Sequence, residues 1–369
     1  VARIVIAPDS FKGTASATEA AAAIARGWAS VRPDDELVEL PMADGGEGTL
    51  EAFAAAVEGA KWMPERVVGP AGDPVDTEWL LLPDGTGVVE LARASGLTLL
   101  HPLRPFEAHT YGFGQLIAAA LRAGATRLVL AIGGSSSTDG GAGALAALGV
   151  RLLDSSGRPI PLGNQGLATV ERADWSDATS SPANVVVLCD VRNPLLGPDG
   201  AATVFGPQKG ATPEDIPVLE ANLTHFAGVL GGNPDFPGAG AAGGTSFGLV
   251  AWGADLRSGA EEIADRSGLD AAIESADLVI TGEGRFDSQS ASGKIPHHIA
   301  ARAAAQGIRC SLIAGLIEVP TTQFDAAVSL TELAGSAATA RADAAQWLER
   351  AGAELATPVG TQNLRNRYS

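Results

Sequence analysis

The chain has 369 residues, 46% hydrophobic and 18% charged, which suits about two globular domains and excludes disorder, collagen and coiled coil as its main state. Its net charge of −18 argues against nucleic acid or an anionic membrane as partner, because both need a basic face. Small anionic substrates remain possible, since they need only a local positive field.

The apolar run Arg3–Pro8 (RIVIAP) predicts a buried strand, followed by the loop Asp9–Ser16. Ser16 and Glu19 have capping-box spacing, so a helix is expected from there to about Trp28. Glu36–Met42 predicts a second strand, ADGGEGT (43–49) a loop and Leu50–Val57 a helix. Two consecutive strand–loop–helix units predict a parallel sheet with right-handed crossovers. Glu78–Leu82 and Val88–Leu91 flank PDGTG as a hairpin. A helix around Phe113–Ala123, a strand Arg127–Ile132, the loop GGSSSTDGGAG (133–143) and a short helix to Leu148 follow. Val185–Val191 reads as a strand carrying Asp190 at its end, and residues 197–248 are rich in Gly and Pro. The last part is predicted as a strand Asp277–Thr281, a polar loop Gly282–Lys294 and a helix Pro296–Ala305. A strand Arg309–Ala314, a weaker strand Ala327–Leu330 and a helix Ala337–Glu349 complete it.

The expected class is α/β with two α/β domains. A Rossmann-like parallel-sheet domain would come from both chain ends (1–77 and 276–369), with a second α/β domain (78–275) inserted and an active-site cleft between them. No segment reaches the roughly 18 apolar residues of a membrane span, and VARIVIAPDS lacks signal-peptide features. Cys189 and Cys310 have neither disulfide-framework nor metal-site spacing. A cytoplasmic location is expected.

Lysine occurs only at Lys12, Lys61, Lys209 and Lys294, and three of the four stand beside glycine, in SFKGT, PQKGA and SGKIP. A compact cation beside closely approaching backbone is a recurring phosphate device. Familiar nucleotide signatures are missing. Gly293-Lys294 is followed by Ile295, and Gly238, Gly240 and Gly243 form a G-x-G-x-x-G that no strand precedes. Acids stand instead at strand ends: Asp44 and Glu47, Asp190, and Glu283 with Asp287. Acids placed there can hold Mg²⁺ beside substrate phosphate, or simply cap the following helices. Arg285 can bind an anion or pair with its acidic neighbours. The GGSSSTDGGAG loop offers Ser135 and Asp139 as binding groups, or is a turn capped by Asp139. No G-x-S-x-G elbow is present, and the pair His297-His298 reads as a helix-terminal feature. Residue chemistry thus leads to phosphoryl transfer without identifying the acceptor.

The segments APDSFKGTASA (7–17), ADGGEGT (43–49), GGSSSTDGGAGALAALG (133–149), CDVRNPLLGPDGA (189–201), FGPQKGA (205–211), GAGAAGG (238–244) and DLVITGEGRFDSQSASGK (277–294) resemble the type I glycerate kinase family. The resemblance covers essentially the whole chain. It implies ATP-dependent phosphorylation of D-glycerate to 2-phospho-D-glycerate with Mg²⁺, on a Rossmann-like domain and a second α/β domain. Thr138 stands where the family pattern has Asn, Arg192 lies at a variable place, and His297-His298 is not a family mark. On this reading Lys12, Lys294, Asp44 and Asp190 are the catalytic candidates, Asp190 as base. Asp44, Asp287 and Glu47 are the metal candidates. Ser10, Gly13, Gly45, Gly46, Ser135, Asp139 and Lys209 are expected to bind substrate or phosphate, together with Gly282, Glu283, Gly284, Arg285 and Gln289. Other short hydroxy acids and a 3-phosphate product remain alternatives. An NAD-dependent oxidoreductase and a non-catalytic carboxylate sensor are the rivals of other classes.

Overall fold

The structure, a computed structural model, describes residues 1–11, 13–288 and 294–357. The chain forms two compact units, one from residues 1–44, 51–58 and the segment from 260 onward, the other from 45–50 and 59–259.

Among the described residues, the first unit holds a five-stranded parallel sheet. Its strands lie in the order Ala326–Ser329, Arg309–Ile317, Leu278–Phe286, Arg3–Pro8, Glu36–Glu39. Arg3–Pro8 is buried along its length except at Arg3, as expected of a parallel strand covered on both faces. The helix Ala17–Val31 starts on the expected capping box: Glu19 N–H donates to Ser16 Oγ at 3.2 Å, and Ser16 N–H donates to Glu19 Oε2 at 2.9 Å. Its Gly27 meets the helix Ala344–Ala356 so closely that a Cβ there would lie 1.8 Å from the Glu349 carbonyl oxygen. Only glycine permits that approach.

Two elements of this unit differ from the sequence reading. The strand from Leu278 runs through GEGRF to Phe286, because Arg285 and Phe286 stay in register with Leu316 and Ile317. The expected helix 337–349 is two helices, Ala337–Ala342 and Ala344–Ala356. Asp343 leaves helical geometry (φ −147°, ψ 68°) and accepts the Gln346 N–H at 3.2 Å, capping the second helix.

The second unit holds a mixed sheet ordered Asp255–Arg257, Asn184–Leu188, Arg127–Ala131, Thr86–Glu90, Pro74–Leu81, Lys61–Val68. The expected hairpin is present, with Leu80 opposite Val88. Lys61–Val68 (KWMPERVV) was not foreseen as a strand. It is a largely exposed edge strand, so it shows no apolar run, and Pro64 is tolerated there. It pairs antiparallel with Pro74–Leu81 and lies with the rest of residues 59–259 in the second unit. The strand beginning at Asn184 ends at Leu188, which leaves Asp190 beyond it. Among the described residues, no helix is long and apolar enough to cross a membrane.

Candidate active site

In the first unit a cavity of about 370 Å³ opens where the parallel strands end, the usual ligand position of an open α/β sheet. Asp9, Asp44, Glu283 and Asp287 bring four carboxylates to it from three strand ends. Asp9 is 6% exposed, and its Oδ1 accepts the Ser10 N–H at 2.6 Å. Glu283 is buried, while Asp44 and Asp287 are half-buried. Lys294, Arg285 and Arg341 supply positive charge. Arg285 pairs across to Glu318 at 3.5 Å. Lys294 and Arg341 make no ion pair with any described residue. Lys294 is also the residue at which the helix Ile295–Ala305 starts, its carbonyl receiving the N–H groups of His297 and His298.

Among the described residues, no three His, Cys, Asp or Glu side chains gather at metal-ligand spacing. One or two carboxylates beside a phosphate site still fit Mg²⁺, which keeps water and phosphate oxygens as most of its ligands and rarely uses an all-protein cage. Asp44 and Asp287 line the same cavity and are hard oxygen donors of this kind.

The second unit carries a different constellation. The loop after the strand Arg127–Ala131 folds around Asp139, which is fully buried. Its carboxylate accepts from Thr110 N and Oγ1 (2.9 and 2.8 Å), Ser137 Oγ (3.2 Å) and the N–H groups of Gly141 and Gly143 (both 3.2 Å). Lys209 is 2% exposed. Its Nζ donates to the Ser137 carbonyl and, at 3.5 Å, to Ser135 Oγ. Gly243 closes over this group with φ +68°, and a Cβ there would sit 2.1 Å from the Ser137 carbonyl oxygen. Burial pushes the Lys209 ammonium down to about 7, against the upward pull of Asp139. Burial likewise lowers the His109 imidazole, which Asp139 pulls upward.

The sign for Lys209 follows from linkage. Its folded pKa lies below the unfolded value, so between about pH 7 and 10.5 the unfolded chain binds more protons. Stability from this group is full above the upper value and is lost as pH falls toward 7. In urea titrations, the stability of the wild type minus that of Lys209→Met should therefore rise with pH across this window, with a slope of at most about 1.4 kcal/mol per pH unit. A pH-independent difference would contradict the depressed lysine.

The structure thus brings Ser10, Gly13, Asp44, Glu283, Gly284, Arg285, Asp287 and Lys294 to one cavity. Gly282 lies in the strand behind it, and a Cβ there would meet the Ile313 carbonyl oxygen at 2.3 Å. Gly45, Gly46, Glu47, Ser135, Asp139, Asp190 and Lys209 belong to the second unit. Glu47 does not join Asp44 and Asp287 in lining the cavity. It is exposed, and a Cβ on Gly134 would lie 3.4 Å from its Oε1. Asp190 is exposed and accepts the Gly259 N–H at 3.2 Å. Lys12 and Gln289 lie outside the described residues. Sequence reasoning missed Asp9, although it stands at a strand end by the same rule that found Asp44. It also missed Leu316, Leu330, Ala340, Arg341 and Ala344, which line the cavity and carry no motif.

The model of the glycerate kinase family matches residues 4–359. The glycerate kinase of Bacillus subtilis (strain 168) is 43% identical over 373 residues, 97% of either chain. The glycerate 2-kinase of Escherichia coli (strain K12) is 45% identical over 309 residues, 81% of either chain. The crystal structure of a candidate glycerate kinase 2 from Salmonella typhimurium LT2 superposes with a TM-score of 0.84 at 39% identity, over 96% of this chain and 97% of that one.

Proposed function

This chain belongs to the glycerate kinase family, and on that premise we propose that it transfers the terminal phosphoryl group of ATP to the 2-hydroxyl of D-glycerate. The products are 2-phospho-D-glycerate and ADP. The observation that carries the reading is the cavity that Asp9, Asp44, Glu283 and Asp287 line together with Lys294 where the parallel strands end. Phosphoryl transfer asks for that combination, since positioning and charge stabilisation do most of the work. The name of the Escherichia coli relative, glycerate 2-kinase, favours the 2-hydroxyl.

Asp44 and Asp287 would hold Mg²⁺, which when bound neutralises phosphate charge. Lys294, with Lys12, stabilises negative charge on the transferred group. Gly13 lines the cavity and would offer its N–H to an anion, whereas the Ser10 N–H is taken by Asp9. Asp190 orients the glycerate 2-hydroxyl and takes its proton as the oxygen attacks phosphorus. Ser135, presented by the loop that Asp139 and Lys209 hold rigid, serves the acceptor's carboxylate. The free thiols Cys189 and Cys310 agree with a cytoplasmic enzyme.

Mixing the protein with Mg-ATP and following ADP release tests the reading. Release should depend on D-glycerate and stop when the divalent cation is chelated. ADP release without glycerate dependence, or tight glycerate binding with no turnover, would overturn it in favour of another acceptor or of a sensor.

A further inference from the structure

We propose that the cavity of the first unit is the nucleotide site, with the base and ribose seated against Leu316, Leu330, Ala340 and Ala344 and with Arg341 packed on the base. This rests on the kinase reading above and adds to it the place and orientation of the phosphate donor.

The strand order supplies the argument. The cavity lining comes from the ends of the strands Ala326–Ser329, Arg309–Ile317, Leu278–Phe286, Arg3–Pro8 and Glu36–Glu39, and the sheet places them side by side in that order. The lining therefore changes character along one axis. Above the first two strands it is mostly apolar, with Leu316 near the end of one and Leu330 directly after the other. Above the last three it carries Asp287, Asp9 and Asp44. Neighbouring strands are about 4.8 Å apart, so three intervals from Arg309–Ile317 to Glu36–Glu39 cover roughly 14 Å. A three-carbon hydroxy acid spans about one interval and has no apolar end. A nucleoside triphosphate spans several, with a flat, weakly polar base at one end and a metal-binding polyanion at the other. Its polarity matches the axis in only one direction.

Two side chains support this orientation. Ala340 and Ala344 are buried at 5% and 6% exposure and still line the cavity, so their small size sets the width of the apolar end. Arg341 lies between them in sequence, is exposed and has no ion-pair partner among the described residues. A planar guanidinium in that position packs on an aromatic base. The other uncommitted cation, Lys294, lines the same cavity at the start of the helix Ile295–Ala305.

The test is calorimetric titration of the intact protein with Mg-ATP, alongside the KM for D-glycerate, in wild type, Arg341→Ala and Ala340→Leu. Each variant should raise the Kd for Mg-ATP by at least about fivefold, the equivalent of one lost cation–π contact, with the KM for glycerate within about twofold of wild type. Arg341 is exposed, so its variant folds whatever becomes of Ala340→Leu. A folded Arg341→Ala protein whose Kd for Mg-ATP rises less than that overturns the assignment. Failure of the kinase reading would look different: wild-type protein would bind Mg-ATP with the same sensitivity to Arg341 and yet show no glycerate-dependent ADP.

Discussion

Replacing Asp139 by alanine should destabilise the second unit by about 3–5 kcal/mol, the usual cost of removing one partner from a buried charged network. Five donors converge on this carboxylate, three of them backbone N–H groups that no solvent reaches once the loop is closed. Alanine leaves them unsatisfied and also removes the negative charge that offsets Lys209 in the same buried region. Asp139→Asn keeps the shape, but its amide nitrogen cannot accept, so it should fall between wild type and alanine. Urea denaturation followed by tryptophan fluorescence reads the difference. A loss below about 1 kcal/mol for alanine, the size of a single ordinary hydrogen bond, would show that the loop does not depend on this centre.

Asp190→Asn should lower kcat by about 10²–10⁴-fold, the contribution expected of a carboxylate acting as general base. Asp190 is exposed and its Oδ1 accepts the Gly259 N–H, a bond that the asparagine carbonyl can keep. The variant should therefore fold normally and bind Mg-ATP with unchanged Kd, so the loss appears in turnover alone. Near-normal turnover with glycerate would remove Asp190 from the base role and leave it as a loop-anchoring residue.

How far the sequence carried the fold depended on whether a signal was local. Arg3–Pro8 and the Ser16–Glu19 capping box were legible because an apolar run and a cap declare themselves within a few residues. KWMPERVV was not, since an exposed edge strand has no apolar pattern and is fixed only by its pairing with Pro74–Leu81. The break at Asp343 carried a usable signal, an aspartate inside an alanine-rich helix, which the longer periodicity masked. The site divides in the same way. Asp44, Asp287 and Lys294 were legible as charged residues in glycine-rich loops after strands, and they do line one cavity. Asp139 was read as a binding group or a cap; it proves to be the buried centre of its loop. Its partner Thr110 is 29 residues away in sequence, and nothing local announces that contact. Arg341 was illegible for the same reason: only the sheet order brings its segment to the cavity that the loops after Pro8 and Phe286 also line.

Phosphorus NMR of the product formed from Mg-ATP and D-glycerate tests the central claim most directly. The account predicts one new phosphomonoester resonance, identified as 2-phosphoglycerate by its coupling to the single C2 proton and appearing in step with ADP. A 3-phosphoglycerate resonance, coupled to two C3 protons, would contradict the assignment of the 2-hydroxyl. Inorganic phosphate alone would contradict transfer to glycerate altogether.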